Sequence, residues 1–325
     1  TYLCHLDTGE VEKLYESPYG GNPAAKNEDC SKIVLVEGYM VGDTVAYLWE
    51  RGKDLRLIYG KPLDERQEGE EVPLAAFGGG FITDDEKGVV FENAIFQDTY
   101  GLGYLSLDAP EDVLEVPFEG LAHSGEGEFN GIEPLENGRY LLEFNIDGAS
   151  WAYEAEYDPE RKVMQAVNIL VGKGILSEGV LEAIKYDEGT DTFALSFSTA
   201  TSPTQIYTIE GKDRDRIVQH TQESILGIPQ EHLSPGEDSS YTSFDGLRVS
   251  ARLYMPSPEL GFEGKRPVVY YLHGGPQGQE RPDYSWFSMP LIQFLTLQGF
   301  AVFVPNVRGS TGYGLSYTKH VDRDW

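Results

Sequence analysis

The feature that most restricts this chain is a recurrence of paired strands with a period near fifty residues. One strand type appears as Ile33-Val34-Leu35-Val36, Val89-Val90-Phe91, Tyr140-Leu141-Leu142-Glu143-Phe144 and Phe193-Ala194-Leu195-Ser196-Phe197. Counted from Ile33, Val89, Tyr140 and Phe193, the spacings are 56, 51 and 53 residues. Acidic or glycine-bearing turns precede the strands, as at Glu28-Asp29 and Glu136-Asn137-Gly138, and such residues let the backbone reverse. A second, alternating strand follows each of the first: Ala46–Glu50, Tyr104–Asp108, Tyr153–Asp158 and Ile206–Glu210. A further copy opens the chain at Tyr2–Gly9. About four strands per unit predicts β-propeller blades over residues 1–225, four whole ones and an outer hairpin, with a sandwich as the alternative. Val163–Val167 fits helix or strand by pattern, and the repeat assigns it to a strand.

Charge narrows the function classes. The 54 acidic residues outnumber 25 basic ones, for a net charge of −29, which repels a phosphate backbone and argues against a nucleic-acid partner. The acidic runs, such as Asp84-Asp85-Glu86, read as a solvated surface, with attraction of cationic peptide N-termini as the sharper alternative. No run of 18 apolar residues occurs, so no membrane span is expected. Cys4 and Cys30 are the only cysteines and have no metal-ligand or paired spacing. This pattern argues for a reducing, cytoplasmic setting, without disulfide, metal or other cofactor. The chain opens on Thr1 with no leader-like segment, and the expectation is an internal fragment.

After residue 225 the pattern changes. Residues 226–240, with Pro229 and Pro235, read as a linker, and 241–325 as a second domain. Tyr241–Pro256 forms a predicted hairpin with Asp245-Gly246 at its tip. Val268–Leu272 is a continuous apolar run that reads as a strand buried on both faces. It ends in Gly274 and Gly275, which leave backbone N–H groups open to whatever lies above the sheet. A helix then follows, capped by Ser288, with Pro290 in its first turn and Gly299 past its end. Leu291, Ile292 and Leu295 are its expected inner face. Ala301–Val304 is a second buried strand, so strand, helix and strand make a parallel crossover.

Ser-Phe-Asp-Gly at 243–246, His-Gly-Gly-Pro at 273–276 and Asn-x-Arg-Gly-Ser-x-Gly-Tyr-Gly at 306–314 stand in this order behind the repeats. The combination resembles the prolyl oligopeptidase family of serine peptidases, in its acylaminoacyl-peptidase and dipeptidyl-aminopeptidase-like branch. The motifs cover 241–325, and the propeller resembles the family by architecture. The resemblance implies a partial β-propeller of four to five blades followed by the first part of an α/β-hydrolase domain.

It also implies acyl-enzyme chemistry, in which N–H donors stabilise the oxyanion formed at the substrate carbonyl. The backbone N–H of Gly275 is the candidate donor, with Gly274 giving the turn its freedom. His273 stands where other branches carry a tyrosine, and a histidine bonded within its turn is the plainer reading. Arg308 is a candidate for clamping a substrate carbonyl, or else it pairs with a neighbouring carboxylate. Trp286 and Phe287 are candidate pocket residues, with a covering hydrophobic contact as the alternative. No Gly-x-Ser-x-Gly elbow occurs, and Gly309-Ser310-Thr311-Gly312 has the wrong spacing for one. The serine, aspartate and histidine of the triad are therefore expected outside this chain.

The partners implied are short peptides and the rest of the same catalytic domain, with homo-oligomerisation left open. A carboxylesterase or amidase on the same scaffold, and a non-catalytic propeller binding module, are the competing readings. By itself the stretch is expected to be inactive.

Overall fold

The computed structural model describes all 325 residues except Glu111, Leu226, Pro276, Ser285, Trp286 and 322–325, with Asn137 described by its backbone alone. A two-stranded hairpin, β1 (Tyr2–Cys4) and β2 (Val11–Lys13), opens the chain. Next come β3 (Asn22–Lys26), β4 (Lys32–Met40), β5 (Asp43–Glu50) and β6 (Arg56–Tyr59), joined in sequence order into an antiparallel sheet. The second sheet repeats this meander with β7 (Gly80–Ile82), β8 (Gly88–Asn93), β9 (Gly101–Ser106) and β10 (Val113–Val116). The two-residue β11 (Phe118–Glu119) joins the third sheet, beside β12 (Gly127–Pro134), β13 (Arg139–Ile146), β14 (Ala149–Asp158) and β15 (Val163–Val171). The fourth sheet holds β16 (Gly179–Asp187), β17 (Thr192–Thr199), β18 (Ser202–Glu210) and β19 (Arg216–Gln219).

These meanders are the predicted partial propeller. The recurring strands fall on β4, β8, β13 and β17, each next to an edge strand of its sheet. That position is flanked on both sides, which explains its near-continuous apolar sequence. Val34, Leu35, Val89, Val90, Phe91 and Leu142 are all fully buried.

The chain divides into two compact units, Thr1–Leu121, Phe129–Leu142 and Ala155–Val167 in one, and Ala122–Glu128, Glu143–Glu154 and Asn168–Trp325 in the other. In the first unit the first two sheets share a core in which Phe77 and Phe91 stack 3.7 Å apart. The units do not follow the expected borders at 225 and 240. The reason lies in packing: Ala200, after β17, shares a core with residues from the last hundred positions of the chain.

In the second unit a further sheet has the order β20 (Glu237–Thr242), β21 (Arg248–Tyr254), β23 (Ala301–Pro305) and β22 (Val268–Tyr270). β20 begins inside the stretch read as a linker. Helix α1 (Met289–Leu297) connects β22 to β23, and α2 (Leu315–Lys319) follows. Met289, Ile292, Gln293 and Thr296 form the buried face of α1, whereas Leu291 is exposed. The inner face is thus rotated from the expected one, because buried Gln293 is held by polar bonds. Its amide donates to the carbonyls of Ala200 (2.8 Å) and Ser234 (2.7 Å), and its oxygen accepts from the Ser234 N–H (2.8 Å). A pattern search that weighs only apolar residues misses such a position.

β23 is buried as expected, but β22 is not. Val268, Tyr270 and Leu272 are 50%, 69% and 67% exposed. β22 is an edge strand that pairs only with β23 among the described residues. Apolar sequence makes a strand suited to burial, and only neighbouring elements can bury it. Among the described residues no helix is long and apolar enough to cross a membrane.

Candidate functional site

The site lies entirely within the second compact unit. β22 and β23 pair in parallel, with Val268 opposite Ala301 and Tyr270 opposite Phe303. Their carboxyl ends therefore face the same way, where open α/β sheets bind ligands. The turn at 273–278 leaves one end and the turn at 306–314 leaves the other. Two contacts join them: the Thr311 N–H donates to the Gln277 carbonyl (3.2 Å), and Ser310 Oγ lies 3.3 Å from His273 Nε2.

Gly275 has φ of +134°, and a Cβ there would lie 2.7 Å from the Gly278 nitrogen. A side chain is excluded on both grounds. A Cβ on Gly274 would meet nothing within 4 Å. The conformational freedom assigned to Gly274 in the sequence thus belongs to Gly275. Among the described residues nothing accepts a hydrogen bond from the Gly275 N–H. His273 is half-buried, with Nδ1 3.1 Å from the Gly274 carbonyl oxygen, a bond within its own turn.

Arg308 does not stand open to a substrate. Its guanidinium donates twice to Asp245 (2.7 and 2.9 Å) and once to Ser243 Oγ (3.0 Å), and lies 5.5 Å from the Phe244 ring centroid. The Ser243–Gly246 and Asn306–Gly314 motifs are therefore one structural unit, pinned by a bidentate pair. The Arg308 charge holds the Asp245 carboxyl far below the usual range. Trp286 lies outside the described residues, and Phe287 is exposed.

Asn306 anchors the second turn. Its N–H donates to the Ser250 carbonyl (2.8 Å), and its side chain accepts from the Glu280 N–H (2.9 Å) and donates to the Tyr313 hydroxyl (2.8 Å). Its carbonyl accepts from the Tyr317 hydroxyl (2.7 Å). Glu280 is buried, its carboxyl accepting from the Ser288 hydroxyl (2.6 Å). Burial pushes that carboxyl up to about 7 against the opposing pull of the Ser288 bond, with nearby Asp283 adding to the rise. Ser288 thus serves Glu280 rather than capping α1, where its side chain makes no cap bond. Beside them is a cavity of about 20 Å³, lined in part by Glu280, Arg252, Asn306 and Tyr313, with room for one water. His273, Gly274 and Gly275 do not line it.

Glu128 was not legible as a site residue. Its two carboxylate oxygens accept the N–H groups of Gly312 (2.8 Å) and Gly314 (2.9 Å), 184 and 186 residues further along. In sequence it is one more acid in an acidic chain, and no local pattern marks it. Glu280 escapes for the same reason. No group of three or more potential metal ligands occurs among the described residues.

Residues 285–325 match the prolyl oligopeptidase family. A probable dipeptidyl-peptidase 5 from Aspergillus terreus is 34% identical over 90 residues, which is 27% of this chain and 12% of that relative. Among solved structures, a puromycin hydrolase superposes with a TM-score of 0.70 at 18% identity, covering 97% of this chain and 46% of that one. An acylaminoacyl peptidase from Pyrococcus horikoshii gives 0.61 at 17% identity, covering 99% and 46%. The chain thus spans under half of either structure, and the likeness carries the fold: a propeller followed by the start of a hydrolase domain.

Proposed function

We propose that this chain, whose residues 285–325 match the prolyl oligopeptidase family, is the propeller and the leading part of the catalytic domain of a serine peptidase acting on short peptides. The observation that carries this reading is the pair of turns at the carboxyl ends of parallel β22 and β23, with a Gly275 N–H that no described residue engages. Attack of a serine on a peptide carbonyl moves charge onto the carbonyl oxygen, and a fixed N–H stabilises that charge more than it stabilises the ground state. Gly275 supplies one donor. The N–H after the nucleophile supplies the other, and the nucleophile itself belongs to a segment that this sequence does not contain.

Arg308 acts through structure in this account. It fixes the hairpin tip against the second turn and leaves substrate recognition to other groups. The propeller restricts entry to short peptides, and the exposed edge of β22 receives a further parallel strand of the catalytic domain. Hydrolysis of aminoacyl-nitroanilides against nitrophenyl esters by the whole gene product tests the reading. A peptidase prefers the anilides. Exclusive turnover of the esters would favour an esterase, and turnover of neither would leave a binding module.

A further inference from the structure

We propose that Glu128 is a positioning residue of the oxyanion half-site, holding the Asn306–Gly314 turn and, through it, the Gly275 amide. The inference rests on the peptidase reading above. Glu128 stands in β12, within the second compact unit. Gly312 and Gly314 have φ of +95° and +97°, and their N–H groups reach the two oxygens of the one Glu128 carboxylate. Backbone amides that converge in this way suit an anion, and here the anion is a carboxylate of the same chain. Both bonds are charge-assisted, the stronger class of hydrogen bond.

What the carboxylate holds leads directly to the candidate donor. Thr311, immediately before Gly312, donates its N–H to the Gln277 carbonyl, two residues past Gly275. A Cβ on Gly312 would lie 2.6 Å from the Gln279 side chain, so that turn also rests on Gln279. Gln279 is fixed in its turn by Asn145 (2.6 Å) and by the Tyr313 hydroxyl (3.2 Å). Displacing Gly312 therefore displaces the stretch that sets the Gly275 N–H. Misplacement of a catalytic donor by a fraction of an ångström is enough to slow an acyl transfer strongly.

Glu126 provides the control. It has the same charge, two residues away, but pairs with Arg248 at the surface and does not touch the turn.

The test measures aminoacyl-nitroanilide hydrolysis by the whole gene product in wild type, Glu128→Gln, Glu128→Ala and Glu126→Gln. Glutamine accepts one of the two amides and presents a donor to the other, so E128Q should lose about tenfold in kcat and E128A more, with KM within about twofold. E126Q should match the wild type. Deuterium exchange of the peptide spanning 306–314 should quicken in both Glu128 variants, and Glu128→Asp serves in place of E128A if the alanine variant does not fold. An active wild type with unchanged kcat in the Glu128 variants overturns the positioning role alone, whatever happens to their melting temperature. An inactive wild type overturns the peptidase reading and this role with it.

Discussion

Gly275 and Gly274 are adjacent and identical in sequence, yet the structure asks different things of them. A methyl group at 275 meets the Gly278 backbone at 2.7 Å in a left-handed conformation, whereas at 274 it meets open space. Gly275→Ala should therefore cost roughly 1–3 kcal/mol of stability and Gly274→Ala almost nothing, as thermal unfolding of the two variants will measure. The sequence makes the Gly-Gly exit visible, but not which glycine carries the strain, because that depends on where the following loop returns. Glu280 makes a second residue-scale case. Its carboxyl is held up to about 7 by burial, so the folded state retains a proton that the unfolded state releases near 4.5. This group's contribution is greatest below about pH 4.5 and is lost as pH rises to about 7, on the order of 3 kcal/mol in all. Glu280→Gln should melt close to wild type near pH 5 and well above it at pH 8. Equal melting temperatures at pH 8 would show that the carboxyl is not buried as described.

At the scale of elements, the strands were legible because each inner strand of a meander is apolar and its turns are acidic or glycine-bearing. Val163–Val167 was settled by the repeat alone, and it lies in the strand β15. Two features escaped the pattern. β22 carries the sequence of a buried strand but sits at an edge, since burial is a property of neighbours. The other is Arg214, from the loop after β18, whose guanidinium donates to both oxygens of Glu154 in β14 (2.9 and 2.8 Å) and to Asp191 (2.8 Å). The Arg214 and Glu154 side chains are each 1% exposed. Removing one partner strands a buried charge, so Arg214→Ala should cost about 3–5 kcal/mol. Arg214→Met with Glu154→Leu should recover most of that loss, a result that denaturant midpoints will show. A recovery no better than the single variant would mean that the charges themselves are needed.

For the whole molecule, three motifs that begin 30 and 33 positions apart in sequence converge at the carboxyl ends of one pair of parallel strands. Their order in the chain was enough to indicate the fold. The brace on them was not, because Glu128 and Asn145 reach the site from the third sheet across more than 130 residues of sequence. The central claim is that this chain holds one oxyanion donor of a serine peptidase and no nucleophile. Intact mass after exposure to a fluorophosphonate probe tests it most directly, on residues 1–325 and on the whole gene product side by side. The account predicts one probe added to the whole product and none to the folded 1–325 chain. Stoichiometric labelling of 1–325, or an unlabelled whole product, would contradict it.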